Sequence, residues 1–226
     1  MANHHDYADF LRGKAVALVG GHDHIDWDRV NLSDVVIRIN GHWARQGGRI
    51  DSIYDSCASD ICHKFYNHED VRKQLKFAML NITHIFFSHE GSEYRKITKT
   101  LCDYNIPWDF YVHAPAKLFS VMEQLKEVPP RHQWYVDWIH KWGLYPLTGI
   151  LAIQHLLQQP ISSLYIDGMD LGRSQIKNQK SKRSWLGLHY LPPQIKYLRE
   201  AVITNPKVRT SRVFWRAVMN EPECFE

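Results

Sequence analysis

Short apolar runs alternate with amphipathic segments along this 226-residue chain, and this alternation most constrains its fold. Strand-length runs that are bounded by turn residues and separated by helical patterns are typical of βαβ units, whose strands are parallel. We interpret six runs as strands: AVALVGG (15–21), DVVIRIN (34–40), DSIYDS (51–56), THIFFSH (83–89), WDFYVHA (108–114) and SSLYIDG (162–168).

Helical patterns fill the intervals between these runs. They cover 68–79, 92–104, 116–126, 133–142 and 145–157, and a last helix is predicted from Pro192 or Pro193, since proline suits a first helical turn. A chain of this length suits one sizeable core, and no linker or repeat divides it. We therefore predict a single domain, 1–226, with a Rossmann-like parallel sheet and helices on both faces.

Charge and cysteine usage narrow the function classes. A formal charge of +4 suits an anionic ligand such as a nucleotide sugar, but it is too small to indicate nucleic-acid binding by itself. The four cysteines form neither a dense framework nor paired CxxC motifs, which favours reduced thiols. The polar start, MANHHDYADFLRGK, has no apolar run typical of a signal or membrane anchor. We expect a soluble protein of the cytoplasm.

The segment VGGHDHID follows the first predicted strand. Its glycine pair allows a phosphate to approach the backbone, where the amides of Gly20, Gly21 and His22 would donate; a simple tight turn explains the pair equally well. His22 and His24 also have the spacing of metal ligands, which leaves a metal-dependent hydrolase as an alternative. No acidic partner falls in place for such a site, so we predict none.

Other candidate residues also stand at strand ends or helix starts. Asn40 ends the second strand, where its amide can bind a base or sugar edge or simply form a turn. Thr148 and Gly149 open a helix, as a plain cap or as a seat for ribose or phosphate. His189 precedes the proline-initiated helix and can accept a proton from a substrate hydroxyl.

The order of these segments resembles the animal-type sialyltransferase family and its bacterial and viral relatives. KAVALVGGHDHIDWDRVNLSDVVIRINGHW is similar to the long donor motif, and GGRIDSIYDS to a Gly-x-x-Thr-Asp segment, with Ile50 in place of threonine. YPLTGILAIQHLLQQPISSLYIDGMD resembles the short motif, and HYLPPQIKYL the last motif, which places His189 on the catalytic histidine. The resemblance covers roughly Lys14 to Leu198.

The resemblance implies a sialyltransferase-type fold and a metal-independent, inverting glycosyl transfer from a nucleotide sugar, with a CMP-sugar favoured and no cofactor. His189 would be the base. The expected nucleotide-sugar ligands are Gly20, Gly21, His22, Asn40, Ser56, Thr148, Gly149, Gly168 and Tyr190. A basic stretch that includes Arg173, Lys182 and Arg183 would close on the phosphate, or form a solvated loop.

Several departures from the family pattern point to a bacterial or viral relative. Gly21-His22 replaces the usual Asn-Ser, Gln194 replaces a glutamate, and a separate His-Tyr motif is missing unless His189-Tyr190 represents it. The family's disulfide cannot form because the cysteines lie elsewhere. The acceptor is open between a glycan, a lipid-linked sugar and a hydroxymethylated base in phage-type DNA, with a UDP- or CMP-sugar donor. A non-catalytic nucleotide- or nucleic-acid-binding module is a further alternative, and the sequence does not give the oligomeric state.

Overall fold

The computed structural model describes residues 4–40, 48–55, 82–87, 94–103, 105–110, 147–171 and 191–219. Of the predicted strands, 15–21, 34–40 and 162–168 lie wholly within these residues, and the other three lie within them in part. The predicted helices at 68–79, 116–126 and 133–142 lie outside the described residues.

Seven strands in the described residues form one parallel sheet. They are β1 (Ala15–Val19), β2 (Val35–Ile39), β3 (Ser52–Asp55), β4 (His84–Phe87), β5 (Trp108–Phe110), β6 (Ser163–Asp167) and β7 (Val208–Thr210), in the order β5-β4-β3-β2-β1-β6-β7. Every neighbouring pair runs parallel. The six strands predicted from the apolar runs are confirmed, and β7 is an addition.

The helices of the described residues lie before, between and after these strands. They are α1 (His4–Leu11), α2 (Trp27–Asn31), α3 (Tyr94–Asp103), α4 (Thr148–Leu157), α5 (Leu191–Tyr197), which continues as a π-helix (Leu198–Ile203), and α6 (Arg212–Met219). The predicted helices at 92–104, at 145–157 and near Pro192 are thus confirmed. None of the described helices is long and apolar enough to cross a membrane.

Helices cover both faces of the sheet, as predicted. Leu18 and Ile37 pack in the larger core cluster with α1, α4, α5 and α6. Ala17 and Val36, their neighbours along the strands, pack on the opposite face against Val30 of α2. Strands covered on both faces need apolar side chains in both alternating sets, which explains the nearly continuous apolar runs of β1 and β2.

The strand order reverses direction at β1. The chain passes from β1 through α2 to β2 on one side, and it later returns through α4 to β6 on the other side. In open parallel sheets such a reversal opens a crevice outside the carboxyl ends of the two strands, where ligands bind. In this protein, the residues that follow Val19 of β1 and Asp167 of β6 lie at that crevice.

Candidate functional site

The loops after β1 and β6 are bonded to each other at the strand-order reversal. The Gly20 amide donates to the Asp167 carbonyl at 2.9 Å, and the His22 amide donates to the Gly168 carbonyl at 2.9 Å. A Cβ on Gly20 would overlap the Gly168 carbonyl oxygen and lie 2.5 Å from Cγ of Met169. Glycine is therefore required at position 20 because two backbones meet there.

This geometry corrects part of the phosphate-binding expectation. Since the Gly20 and His22 amides are bonded to carbonyls of the β6 end, they are not available to a phosphate in this arrangement. Gly21 is exposed, and its amide bonds no described residue. Of the three amides in this turn, Gly21 is thus the one left as a candidate donor.

The start of α4 also lies at this edge. Its N-cap is Leu147, in an extended conformation without a side-chain cap, and Thr148 is the first helical residue. The alternative of a threonine-capped helix is therefore wrong. Within the described residues, no carbonyl accepts from the amides of Thr148 and Gly149, whereas Ile150 donates to the Leu147 carbonyl at 2.9 Å. Two first-turn amides thus have no acceptor among the described residues, and of the two residues Gly149 is buried.

Close packing brings α4 against the β6 loop. A Cβ on Gly149 would lie 2.5 Å from the Met169 sulfur and 3.2 Å from Cδ1 of Ile39. The Met169 side chain therefore lies between Gly149 and Gly20 and packs closely against both glycines. The structure thus brings together three of the predicted glycines, at positions 20, 149 and 168, around one methionine.

Gln194 fixes α4 to α5. This side chain is fully buried, and its Oε1 accepts the Leu147 amide at 2.9 Å. The contact satisfies a backbone donor just before α4 and ties it to the helix that comes after His189. The glutamine that departs from the family pattern thus has a defined structural contact.

A buried cation lies beside the reversal. Arg38 of β2 is adjacent to Val19 in the sheet and is fully buried. Its guanidinium lies over the Trp27 ring, 4.9 Å from the ring centroid. Burial lowers the pKa of Arg38 to about 10, so the side chain keeps its positive charge at neutral pH. This charge lies at the same edge as the buried carboxylates of Asp55 and Asp167, which end β3 and β6.

Asn40, immediately after β2, has φ of +52°. Asparagine adopts this left-handed conformation more readily than most residues, so the turn interpretation of Asn40 accounts for its backbone. Its role in ligand binding stays a prediction. Ser56, Tyr190, Arg173, Lys182, Arg183 and His189 lie outside the described residues. The assignment of His189 as the base therefore also stays a prediction.

The His22-x-His24 pair forms a local contact. The His24 amide donates to Nδ1 of His22 at 3.1 Å, and the two ring centroids lie 5.6 Å apart. Across the described segments, no group of three or more metal-ligating side chains is assembled. The hydrolase alternative therefore gains no support from these residues.

Sequence reasoning missed Asp167 and the cavity beside it. Asp167 is buried, and its carboxylate accepts from the amides of Gly168 at 2.6 Å and Asp26 at 3.0 Å. It thereby holds the loop after β1 against the end of β6. The sequence did contain a signal for Asp167: it is an acidic residue that ends an apolar strand directly before a glycine.

The fold resembles two solved structures of the sialyltransferase CstII from Campylobacter jejuni. The complex with CMP-3FNeuAc shares 14% identity with a TM-score of 0.47, over 87% of this chain and 78% of that chain. The complex with cytidine-5'-monophosphate shares 15% identity with a TM-score of 0.49, over 83% and 75% of the two chains. No protein-family profile matches the sequence, and no curated protein is significantly similar to it.

Proposed function

We propose that this protein is a glycosyltransferase that binds a nucleotide-sugar donor where the strand order reverses between β1 and β6. The observation that carries the proposal is the crevice position itself, with amides at the start of α4 that bond no described residue and the buried cation of Arg38 on a neighbouring strand. This combination suits an anionic ligand that is held partly by backbone groups.

The start of α4 supplies the directional part of this interaction. A helix N-terminus carries roughly half a positive charge, which is concentrated on its first unbonded amides. Thr148 and Gly149 hold those amides, and glycine at position 149 lets Met169 pack directly against the helix. A ribose hydroxyl or a phosphate oxygen would accept from these two donors, while Gly21 would donate from the opposite loop.

Transfer chemistry follows from the motif resemblance. The acceptor oxygen would form a bond to the anomeric carbon as the bond from that carbon to the phosphate oxygen breaks. The nucleotide leaves with the electron pair, and the acceptor proton passes to His189. Positive potential from Arg38 and α4 stabilises the departing phosphate, and direct displacement inverts the anomeric centre. The resemblance also makes CMP-sugars the first donors to test.

The primary experiment is thermal unfolding with CMP, UDP, GDP, ADP and their sugar conjugates, with and without EDTA. A ligand at a hundred times its Kd stabilises the fold by about 2.7 kcal/mol, which corresponds to a Tm increase of roughly 5–10 °C for a chain of this size. We expect an EDTA-insensitive shift with CMP or its conjugates. A selective UDP shift would retain the transferase and change its donor. Stabilisation by metal alone, without a nucleotide response, would refute the proposal.

Replacement of the proposed base separates binding from transfer. The variant His189→Gln should transfer sugar about 10²–10⁴ times more slowly, since general-base assistance is lost. Its nucleotide-induced Tm shift should match that of the wild type, because donor binding uses the amides of α4. Unchanged turnover in this variant would remove His189 from the mechanism.

A further inference from the structure

A second cavity lies on the opposite side of the β6 end from the proposed donor crevice. It has a volume of about 610 Å³ and lies between α2, the loop that precedes it, and the start of α6. This volume falls within the usual range for small-molecule sites, roughly 300–1,000 Å³. Its polar lining includes Asp23, Asp26, Arg29, Tyr165, Asp167 and Arg212.

One wall of this cavity is rigid. Tyr165 and Asp167 are both buried, and the tyrosine hydroxyl donates to Oδ2 of Asp167 at 3.3 Å. The same carboxylate oxygen accepts the Asp26 amide at 3.0 Å, so α2 is anchored to β6 across the cavity. Side chains held in this way keep a binding surface in shape before a ligand arrives.

The rim presents charged groups of both signs. Arg29 lies over the Tyr165 ring, 5.1 Å from the ring centroid, and Arg212 is the first residue of α6. Within the described residues, neither arginine forms an ion pair, and the exposed carboxylate of Asp23 also has no partner. These groups therefore remain available to a ligand.

The balance of these groups selects a class of ligand. The exposed lining holds two carboxylates, Asp23 and Asp26, and two guanidinium groups, Arg29 and Arg212, so it has no excess of positive charge for a polyanion such as DNA. A hydroxyl group can donate to a carboxylate and accept from a guanidinium, so a ligand with several hydroxyls can use both. We propose that this cavity is a second ligand site, separate from the donor crevice, that binds an uncharged saccharide. This second site does not rest on the proposed function.

The test is saturation-transfer NMR with a panel of methyl glycosides (galactoside, glucoside, mannoside and N-acetylglucosaminide). We expect transfer to at least one glycoside in the wild type, reduced at least fivefold in Asp23→Asn and in Arg212→Gln. Both substituted side chains are exposed, so the variants should fold. The matched control is Asp103→Asn, which changes an exposed carboxylate at the end of α3 and should bind like the wild type.

Two results would overturn this inference: no saturation transfer to any glycoside, or transfer that survives in both variants. Binding of a 20-base-pair duplex that is lost in Arg212→Gln and strengthened in Asp23→Asn would also overturn it, in favour of a DNA acceptor. The nucleotide-induced Tm shift, measured in the same samples, reports on the donor crevice alone. Glycoside binding without a nucleotide shift would refute the proposed function and leave the saccharide site standing.

Discussion

The two edges of the parallel sheet carry similar charged residues, which the described residues bond to different extents. At the amino edge, Asp34 accepts the amide of Ala15 at 2.8 Å, and Asp51 accepts the amide of Val36 at 2.7 Å. Arg49 completes this group through an ion pair with Asp51 at 2.9 Å. The charged side chains at this edge are thus bonded to strand starts or to one another.

At the carboxyl edge, Asp26 and Asp167 accept backbone amides, whereas other described charged groups are exposed to solvent or to a ligand. Asp23, Arg29 and Arg212 form no ion pairs with described residues, and Arg38 is buried over a tryptophan ring. Charge in the sequence therefore does not by itself mark a site. Both edges have carboxylates that accept backbone amides; what distinguishes the carboxyl edge is that Asp23, Arg29 and Arg212 also lie there without an ion pair among the described residues.

The largest effect should come from disrupting the backbone contact between the β1 and β6 loops at the carboxyl edge. In Gly20→Ala the new methyl group would overlap the Gly168 carbonyl, so the loops must separate. We expect a loss of about 3 kcal/mol in unfolding free energy, measured by urea denaturation, and a weaker nucleotide response.

Gly13→Ala is the control for this substitution. Gly13 has φ of +71° and nothing within 4 Å of the added Cβ, so only backbone strain applies, roughly 1–2 kcal/mol. Equal losses in the two variants would show that the contact between the β1 and β6 loops does not require glycine.

A substitution at the amino edge should lower the stability of the fold and leave nucleotide binding unchanged. Asp51→Ala removes the acceptor of the Val36 amide and the partner of Arg49, which should lower the unfolding free energy by about 2 kcal/mol. The nucleotide-induced Tm shift should equal that of the wild type. In Asp103→Ala, an exposed control, stability should change by less than about 0.5 kcal/mol. A reduced nucleotide shift in Asp51→Ala would contradict the separation of the two edges.

Substitution of Arg38 should show the reverse pattern, with its main effect on nucleotide binding rather than on stability. A buried cation costs desolvation free energy, so in Arg38→Met an apolar side chain of similar length offsets part of the interactions that are lost, including the contact with the Trp27 ring. Loss of the positive charge should weaken nucleotide binding about tenfold, equivalent to about 1.4 kcal/mol, in a calorimetric titration. A large loss of stability with unchanged nucleotide affinity would make Arg38 a structural residue.

The strands were predictable because the local sequence of each strand indicates that it is buried. Runs such as AVALV and VVIRI are β-branched and apolar, and they are buried on both faces in the sheet. β7 was missed because it is a short strand, Val208–Thr210, with a single buried side chain. α1 was missed because it is polar outside and contacts the core mainly through Tyr7 and Leu11.

The site was predictable only in part, for a related reason. The glycines at the strand ends could be placed at one edge from the parallel topology alone. That the Gly20 amide is bonded to Asp167 could not be, because the pairing of β1 with β6 joins residues far apart in the chain. The cavity could not be predicted from the sequence for the same reason, since it combines residues of α2, β6 and α6 that share no local pattern.

The smallest predicted effect compares one tyrosine near each edge. Burial raises the pKa of Tyr7, whose hydroxyl lies 3.2 Å from Oγ of Ser52, to about 12. Burial and the negative charges of Asp167 and Asp26 raise the pKa of Tyr165 to about 12. Both tyrosines ionise near pH 10 when unfolded. The fold favours their neutral forms, so this contribution to stability is complete below pH 10 and is lost as the pH rises towards about 12.

Salt should separate the two tyrosines, because it screens the exposed carboxylate of Asp26 near Tyr165 and does not change the burial of Tyr7. At 1 M salt the Debye length falls to about 3 Å. We therefore expect added salt to lower the pKa of Tyr165 more than that of Tyr7, in ultraviolet titrations of Tyr7→Phe and Tyr165→Phe compared with the wild type. Equal salt sensitivity would mean that the exposed Asp26 does not act on Tyr165 through charge, and the mixed-charge character of the cavity would then need revision.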